Sequence, residues 1–325
     1  MPARPSTARQ APQGPTEFTR RDWWGVLRRT VKEYQEDNLS DWAAALTYRA
    51  VMSLFPGILV LVALLGLTGA DTARRASAEV GAYAPGAVRD VLDNALTELQ
   101  RGQGATAGLV AVIGVLLALW AASGYVSGFM RASNAIYDVP EGRPMWKTLP
   151  IRLGVTVVCA LAISVVALAL VFTGPVAART GEFLHLGSGV VRIWEIAKWP
   201  LVIAVIALIF ALLYWASPNA RQGGWRWISP GSVLAVLIWL AASAGFALYA
   251  ANFGSYNKIY GSLAGIIVFL IWLWISNAAL LLGAEFDAEL HRARALAEGH
   301  PPDQEPYVEL RDQPKDPDRP DPDLK

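Results

Sequence analysis

Six stretches of this chain stay apolar for roughly 18 to 25 positions: Ala43 to Leu67, Thr106 to Met130, Ile151 to Thr173, Trp199 to Ala216, Ser229 to Ala251 and Ser262 to Ala284. Each is long enough to cross a hydrocarbon core about 30 Å thick. None has the period-two alternation of barrel strands, and in lipid every backbone N–H and C=O must be satisfied within the segment, so the pattern predicts helices. The expected fold is all-α, a polytopic membrane protein with six transmembrane helices in one bundle, over residues 20–292.

Two shorter stretches have helical periodicity without the length to span. After Asp22, read as an N-cap, Trp23, Trp24, Leu27, Val31 and Tyr34 recur on one side and Arg28, Arg29 and Lys32 on the other, which predicts a helix lying in the cytoplasmic interface or packed on the underside of the bundle. In the first outer loop Val88, Val91, Leu92, Ala95, Leu96 and Leu99 form a second stripe, predicting a periplasmic amphipathic helix over the bundle. Residues 1–19 and 293–325 lack apolar periodicity. The second of these regions carries Pro301, Pro302, Pro306, Pro314, Pro317, Pro320 and Pro322 among Asp, Glu and Lys, and both are expected to be disordered.

Composition agrees with this reading: 54% of the residues are hydrophobic and 17% charged, too apolar a balance for a soluble domain. The net charge of +1 hides an asymmetry. Of the 28 Lys and Arg residues, nineteen fall in the N-terminal arm, the second and fourth connectors and the tail, and eight in the other connectors; Arg49 is the one left over. By the positive-inside rule both termini are cytoplasmic. The N-terminus has no apolar core of a cleaved signal, so the first span is expected to direct insertion. Cys159, the single cysteine, sits inside a span and excludes an intrachain disulfide and a thiolate metal site.

Several stretches resemble the YihY/BrkB family of bacterial inner-membrane proteins, historically mislabelled as ribonuclease BN. They are Leu39-Ser-Asp-Trp-Ala-Ala-Ala-Leu-Thr-Tyr48 leading to Ser53-Leu-Phe-Pro56, Asn134-Ala-Ile-Tyr137, Trp227-Ile-Ser-Pro-Gly231, and Asn252 through Glu289. The resemblance covers residues 20 to 292 and rests on their order and spacing together. It implies six helices in the cytoplasmic membrane, an activity not securely assigned, and links to envelope integrity, serum resistance and lipid or lipopolysaccharide traffic. Arg49 departs from the aromatic or small apolar residue the resemblance leads one to expect after Tyr48.

Arg49 is the sharpest anomaly, because a charge two turns inside a span costs about 2.5 to 3.5 kcal/mol. It reads either as a ligand for an anion or phosphate headgroup, or as an internal partner of Glu285 or Asp41, or as a snorkelling side chain. Pro56 cannot donate to the carbonyl of Met52, so the same span kinks, as a hinge or as a packing feature. Glu285 and Glu289 lie one turn apart with Asp287 roughly opposite; Glu285 is the residue that would titrate in a proton- or cation-coupled carrier, or else an interfacial carboxylate paired with Arg292 or the Arg131 region. Asn134, Tyr137 and the Asn252 to Tyr260 loop, with Tyr256, Asn257, Lys258 and Tyr260, offer polar groups for a sugar or headgroup, or simply make turns. Gly124 and Gly128, beside Ser123 and Ser127, suggest close helix packing.

No cofactor is expected. His185, His291 and His300 are scattered, and no HExxH, CxxC, GxSxG or Walker-type loop is present. The loops are too short and mixed in charge for an RNA groove, so neither an enzyme nor a nucleic-acid partner is expected. The leading reading is a protein of the bacterial inner membrane that transports or flips an anionic lipid or other amphipathic envelope substrate, with membrane lipids as its partners. A non-transporting scaffold for the envelope is the alternative, and a ribonuclease a distant third.

Overall fold

The computed structural model describes residues 18–67, 105–171, 188–222, 225–251 and 263–314, with side chains for 18–54, 115–170, 189–222, 230–249 and 265–314. The elements in chain order are α1 (Arg20–Glu36), α2 (Leu39–Leu67), α3 (Ala105–Ile136), α4 (Met145–Val171), α5 (Ser188–Ala216), β1 (Ala220–Arg221), α6 (Trp225–Ala251), α7 (Leu263–Ala297) and β2 (Glu309–Leu310). Among the described residues five helices are long and apolar enough to cross a membrane: Val115–Ile136, Met145–Leu170, Gly189–Ala216, Pro230–Tyr249 and Gly265–Ala297. The other expected span falls on α2, where side chains from 55 onward, Pro56 included, lie outside the described residues. The expected helix around Val88 to Leu99 lies outside them too.

The helices outrun the apolar windows that announce them. Met145 precedes Ile151, Ser188 precedes Trp199, and α7 continues from Ala284 to Ala297. Hydropathy detects the part of a helix that suits lipid, whereas backbone hydrogen bonding continues wherever the polar flanks find partners. Large apolar side chains remain exposed along these helices, among them Leu117, Ile163, Ile193 and Leu237. Hydrocarbon accommodates such a surface and water does not.

The chain divides into two compact units. The first takes in Met1–Thr47, Gly128–Thr148 and Phe210–Lys325. In it α1 lies on α7: Val26, Phe286 and Leu290 form a small buried cluster, and Trp23 stacks on Phe286 with centroids 5.9 Å apart. The N-cap of α1 is Thr19, not the expected Asp22. Asp22 is the third helical residue and completes a capping box, its carboxylate accepting from Thr19 N–H at 2.9 Å. Buried Val26 and Thr30 define the face that packs, while Trp24, Leu27 and Val31 of the expected stripe stay exposed.

Helices α6 and α7 cross at two glycines. A Cβ on Gly283 would stand 2.5 Å from Ala235 Cβ and 2.7 Å from the Gly231 carbonyl oxygen. The crossing is fastened by Asp287, whose Oδ1 accepts from Gly231 N–H at 2.7 Å beside Pro230. Higher up, Trp239 donates to Ser276 and Trp272 to Ser243. The start of α2 joins through Thr47, whose hydroxyl accepts from Asn277 at 3.1 Å.

The tail differs from expectation over residues 293–314; residues 315–325 lie outside the described residues. Residues 293–297 are helical, and the chain then folds back so that Glu309–Leu310 pair antiparallel with Ala220–Arg221. Buried Asn219 holds it from both sides: its Nδ2 donates to the Pro140 and Asp312 carbonyls, and its Oδ1 accepts from Asp312 N–H. Arg311 donates to the Trp215 and Ala220 carbonyls, and the tail passes so close to Gly142 that a Cβ there would lie 2.2 Å from the Asp312 oxygen. Composition predicted disorder because it counts apolar area; this segment is held instead by hydrogen bonds to buried polar groups, which composition does not register.

The second unit comprises Tyr48–Ser127 and Leu149–Ile209, taking in parts of α2, α3, α4 and α5. Its polar centre is one turn of α3, Trp120 to Gly124. Gly124 is not a tight crossing point there, since a Cβ would meet only Ser53 Oγ, at 4.0 Å.

Candidate functional site

In the first unit, the C-terminal ends of α1 and α3, the polar end of α7 and the returning tail line an open cleft. Six carboxylates line it: Glu33, Asp37, Asp138, Glu285, Glu289 and Glu305. The chain makes these turns with left-handed residues, Asn38 at φ 52° and Asp138 at φ 50°, a region that Asn and Asp enter more readily than other side chains. Val139 N–H then closes back onto the Asn134 carbonyl at 3.0 Å, the pattern of a helix terminated by a left-handed residue.

Only part of this charge is neutralised within the site. Glu289 accepts from Arg29 at 2.6 Å and from Arg292 at 3.3 Å, and Arg292 also reaches Glu33 at 3.1 Å. Glu285 is 2% exposed and its Oε2 has no hydrogen-bond partner among the described residues. Burial, and after it the charge of Asp138, pushes the Asp37 carboxyl up to about 7. Asp138 is pushed to about 6 by burial and then by Glu305. The cleft thus crowds carboxyl groups that hold their protons more tightly than free ones.

In the second unit two guanidinium groups meet the same turn of α3. Arg49 of α2 donates to the Gly124 carbonyl at 3.3 Å and has no carboxylate partner among the described residues. Arg152 of α4 donates to Ser123 Oγ at 2.6 Å and to the Trp120 carbonyl at 3.1 Å, with its guanidinium 4.8 Å from the Trp120 ring centroid. Ser53 donates to the Ala121 carbonyl at 3.5 Å. This arrangement presents positive charge and hydroxyls beside an apolar surface.

The residues singled out in the sequence therefore part company. Tyr137 and Glu285 line the acidic cleft, and Gln222 donates to the Tyr137 hydroxyl at 3.1 Å. Asn134 belongs to the scaffold that holds the tail, accepting from Asn219 N–H at 2.7 Å and donating to Glu141 at 3.0 Å. Arg49 sits in the second unit. Tyr256, Asn257, Lys258 and Tyr260 lie outside the described residues, as does the side chain of Pro56. Of the alternatives given for Glu285, the pairing with Arg292 belongs to Glu289.

Asp37, Asp138, Glu305 and Arg152 were not singled out as site residues. One readable signal was Asp at the C-terminal ends of α1 and α3, where the helix dipole disfavours an anion.

The order of these elements, with the acidic end of α7 and the Asn134–Tyr137 turn, can be set beside known proteins. The profile of the virulence factor BrkB family matches residues 30–307. The chain belongs to the BrkB family. The BrkB match takes in all six cleft carboxylates and both Arg49 and Arg152. Among relatives, the ribonuclease-like protein YfkH of Bacillus subtilis (strain 168) is 29% identical over 82% of this chain and 93% of its own length. A UPF0761 membrane protein of Alteromonas mediterranea is 30% identical over 84% of this chain and 89% of its own. One of Xanthomonas campestris pv. campestris (strain B100) is 28% identical over 86% of this chain and 64% of that longer protein. No solved structure matches. With the exposed apolar helices, these findings make the BrkB-family chain an integral membrane protein.

Proposed function

We propose that this protein crosses the bacterial cytoplasmic membrane six times, with both termini in the cytoplasm, and moves or handles an amphipathic anionic substrate such as a lipid or lipid-linked molecule. The supporting observation is the pair of guanidiniums on one turn of α3, with Arg49 held by a single backbone carbonyl. In this reading that charge, matched by no carboxylate among the described residues, binds the anionic head of the substrate, and the apolar helix faces around it suit acyl chains. In this reading Pro56 supplies a hinge in α2 and Glu285 is the group that takes up or releases a proton. The topology is supported by the five described spans, the helical continuity of α2 and the one-sided placement of Lys and Arg.

Reconstitution in liposomes with labelled anionic lipid tests the activity. Wild type is expected to move lipid at least about tenfold faster than Arg49→Leu, the loss of about 1.4 kcal/mol that one charge-assisted hydrogen bond supplies. Equal, background rates in both would overturn the carrier reading. Labelling of cysteines placed at residues 1 and 325 in a Cys159→Ser background checks the topology. A scaffold is the second reading, favoured by the tail's fastening onto Asn219. The ribonuclease reading is tested with protein freed of contaminating nuclease: cleavage of RNA that Glu285→Gln abolishes would support it.

A further inference from the structure

Helix α1 packs on the protein with only one of its faces. Val26 and Thr30 are buried, whereas Trp24 is 68% exposed and Leu27 and Val31 lie open with it. At about 3.6 residues per turn, positions 24, 27 and 31 fall on one side of the helix and make a continuous apolar strip. Arg20, Arg21 and Arg28 stand three or four positions from Trp24, flank that strip and are exposed too. None of the three makes an ion pair among the described residues: the cations of α1 that do are Arg29, with Glu289, and Lys32, with Glu36. The acids of the helix are engaged elsewhere, Asp22 in the capping box, Glu33 with Arg292 and Glu36 with Lys32.

Two features set the depth of this strip. Trp23, beside Trp24, stacks on Phe286. Phe286 lies two residues beyond Ala284, where the apolar run of α7 ends, so at about 1.5 Å per residue the stack is about 3 Å along α7 from that end. At the other terminus only Asp37 and Asn38 separate α1 from α2, which keeps the whole helix close to the span that follows it. In water a tryptophan and two aliphatic side chains in line are an unfavourable surface; at the headgroup layer the same strip enters the acyl boundary. Three arginines without acids of their own make the charge of this face complementary to anionic lipid. We infer that the outer face of α1 docks on the membrane surface at the Ala284 end of α7, Trp24, Leu27 and Val31 entering the acyl boundary and Arg20, Arg21 and Arg28 binding the phosphates of anionic lipids. The opposite face of the helix holds Phe286, Leu290 and Glu289 of α7, so the lipid charge bears directly on how α1 is seated against that span. This docking serves a carrier and a scaffold alike.

The test uses the full chain carrying Cys159→Ser and Leu27→Cys, labelled with an environment-sensitive dye, in nanodiscs of phosphatidylcholine alone or with about 30 mol% phosphatidylglycerol. Lipids spin-labelled just below the headgroup quench the dye from the bilayer, and iodide quenches it from water. The label at residue 27 is expected to be quenched by the lipid and shielded from iodide, while a label on Glu36→Cys, exposed on another side of the helix, shows the reverse. Phosphatidylglycerol should raise lipid quenching at residue 27 at least about twofold, and Arg20→Gln with Arg21→Gln and Arg28→Gln should abolish the rise. Those three side chains are exposed, so the Val26, Phe286 and Leu290 cluster stays intact in the variant. About 1 M KCl should remove the same rise with all three arginines present, which tests the charge without relying on any arginine variant. The inference is overturned if iodide reaches residue 27 as readily as residue 36, or if the label is shielded from both quenchers, as a second copy or a protein partner would shield it. Lipid quenching indifferent to phosphatidylglycerol, or a rise that survives both salt and the substitutions, overturns it equally.

Discussion

Asp37 and Asp138 carry the clearest consequence at the scale of single residues. Their folded-state values, about 7 and about 6, stand above the ordinary 3.8 of an aspartate. The native chain therefore holds protons that the unfolded chain has already released, so this contribution to stability is complete below about pH 4 and is lost as pH rises through 6 and 7. The melting temperature in detergent should fall between about pH 5 and about pH 8, and Asp37→Asn with Asp138→Asn should flatten that fall. Neither aspartate was marked in the sequence as part of a site, because a carboxylate's neighbours are set by which helix ends meet. Glu285 was marked, since it ends an apolar run, and it is buried in the structure. Of the partners offered for it, Arg292 pairs with Glu289 instead, because it lies three residues from Glu289 and one further turn from Glu285.

Among the elements, the α6–α7 crossing is the contact with the least tolerance. Gly283→Ala would force a methyl group to within 2.5 Å of Ala235 Cβ and 2.6 Å of the Tyr214 hydroxyl. Overpacking of this kind costs about 1 to 3 kcal/mol, and the melting temperature should drop accordingly. Gly154→Ala, with nothing within 4 Å of its Cβ position in α4, should be neutral or stabilising by up to about 1 kcal/mol. The Gly124–Gly128 spacing drew attention first because small residues four apart on one helix make a readable motif. Gly231 and Gly283 lie on different helices, and only the crossing reveals that they face each other. The start of α1 shows a related ambiguity: Thr19 and Asp22 are both good caps in sequence, and the reciprocal hydrogen bonds decide which one ends the helix.

For the whole molecule, the fastening of the tail is the feature open to direct test. Asn219→Ala removes three hydrogen bonds and leaves the Pro140 and Asp312 carbonyls without their donor. The cost of about 1 to 3 kcal/mol for unsatisfied buried groups should raise the open population about tenfold or more, seen as faster tryptic cleavage after Arg311. The membrane-spanning character, the helical class and the family were legible from the chain, because the bilayer imposes a length and an apolarity that local sequence must meet. The sequence by itself determined how this protein meets lipid, through residues acting within single helices. Only the tertiary structure decided which carboxylates share a cleft, which glycines touch and where the proline-rich tail comes to rest, because those outcomes depend on polar groups far apart in the chain satisfying one another.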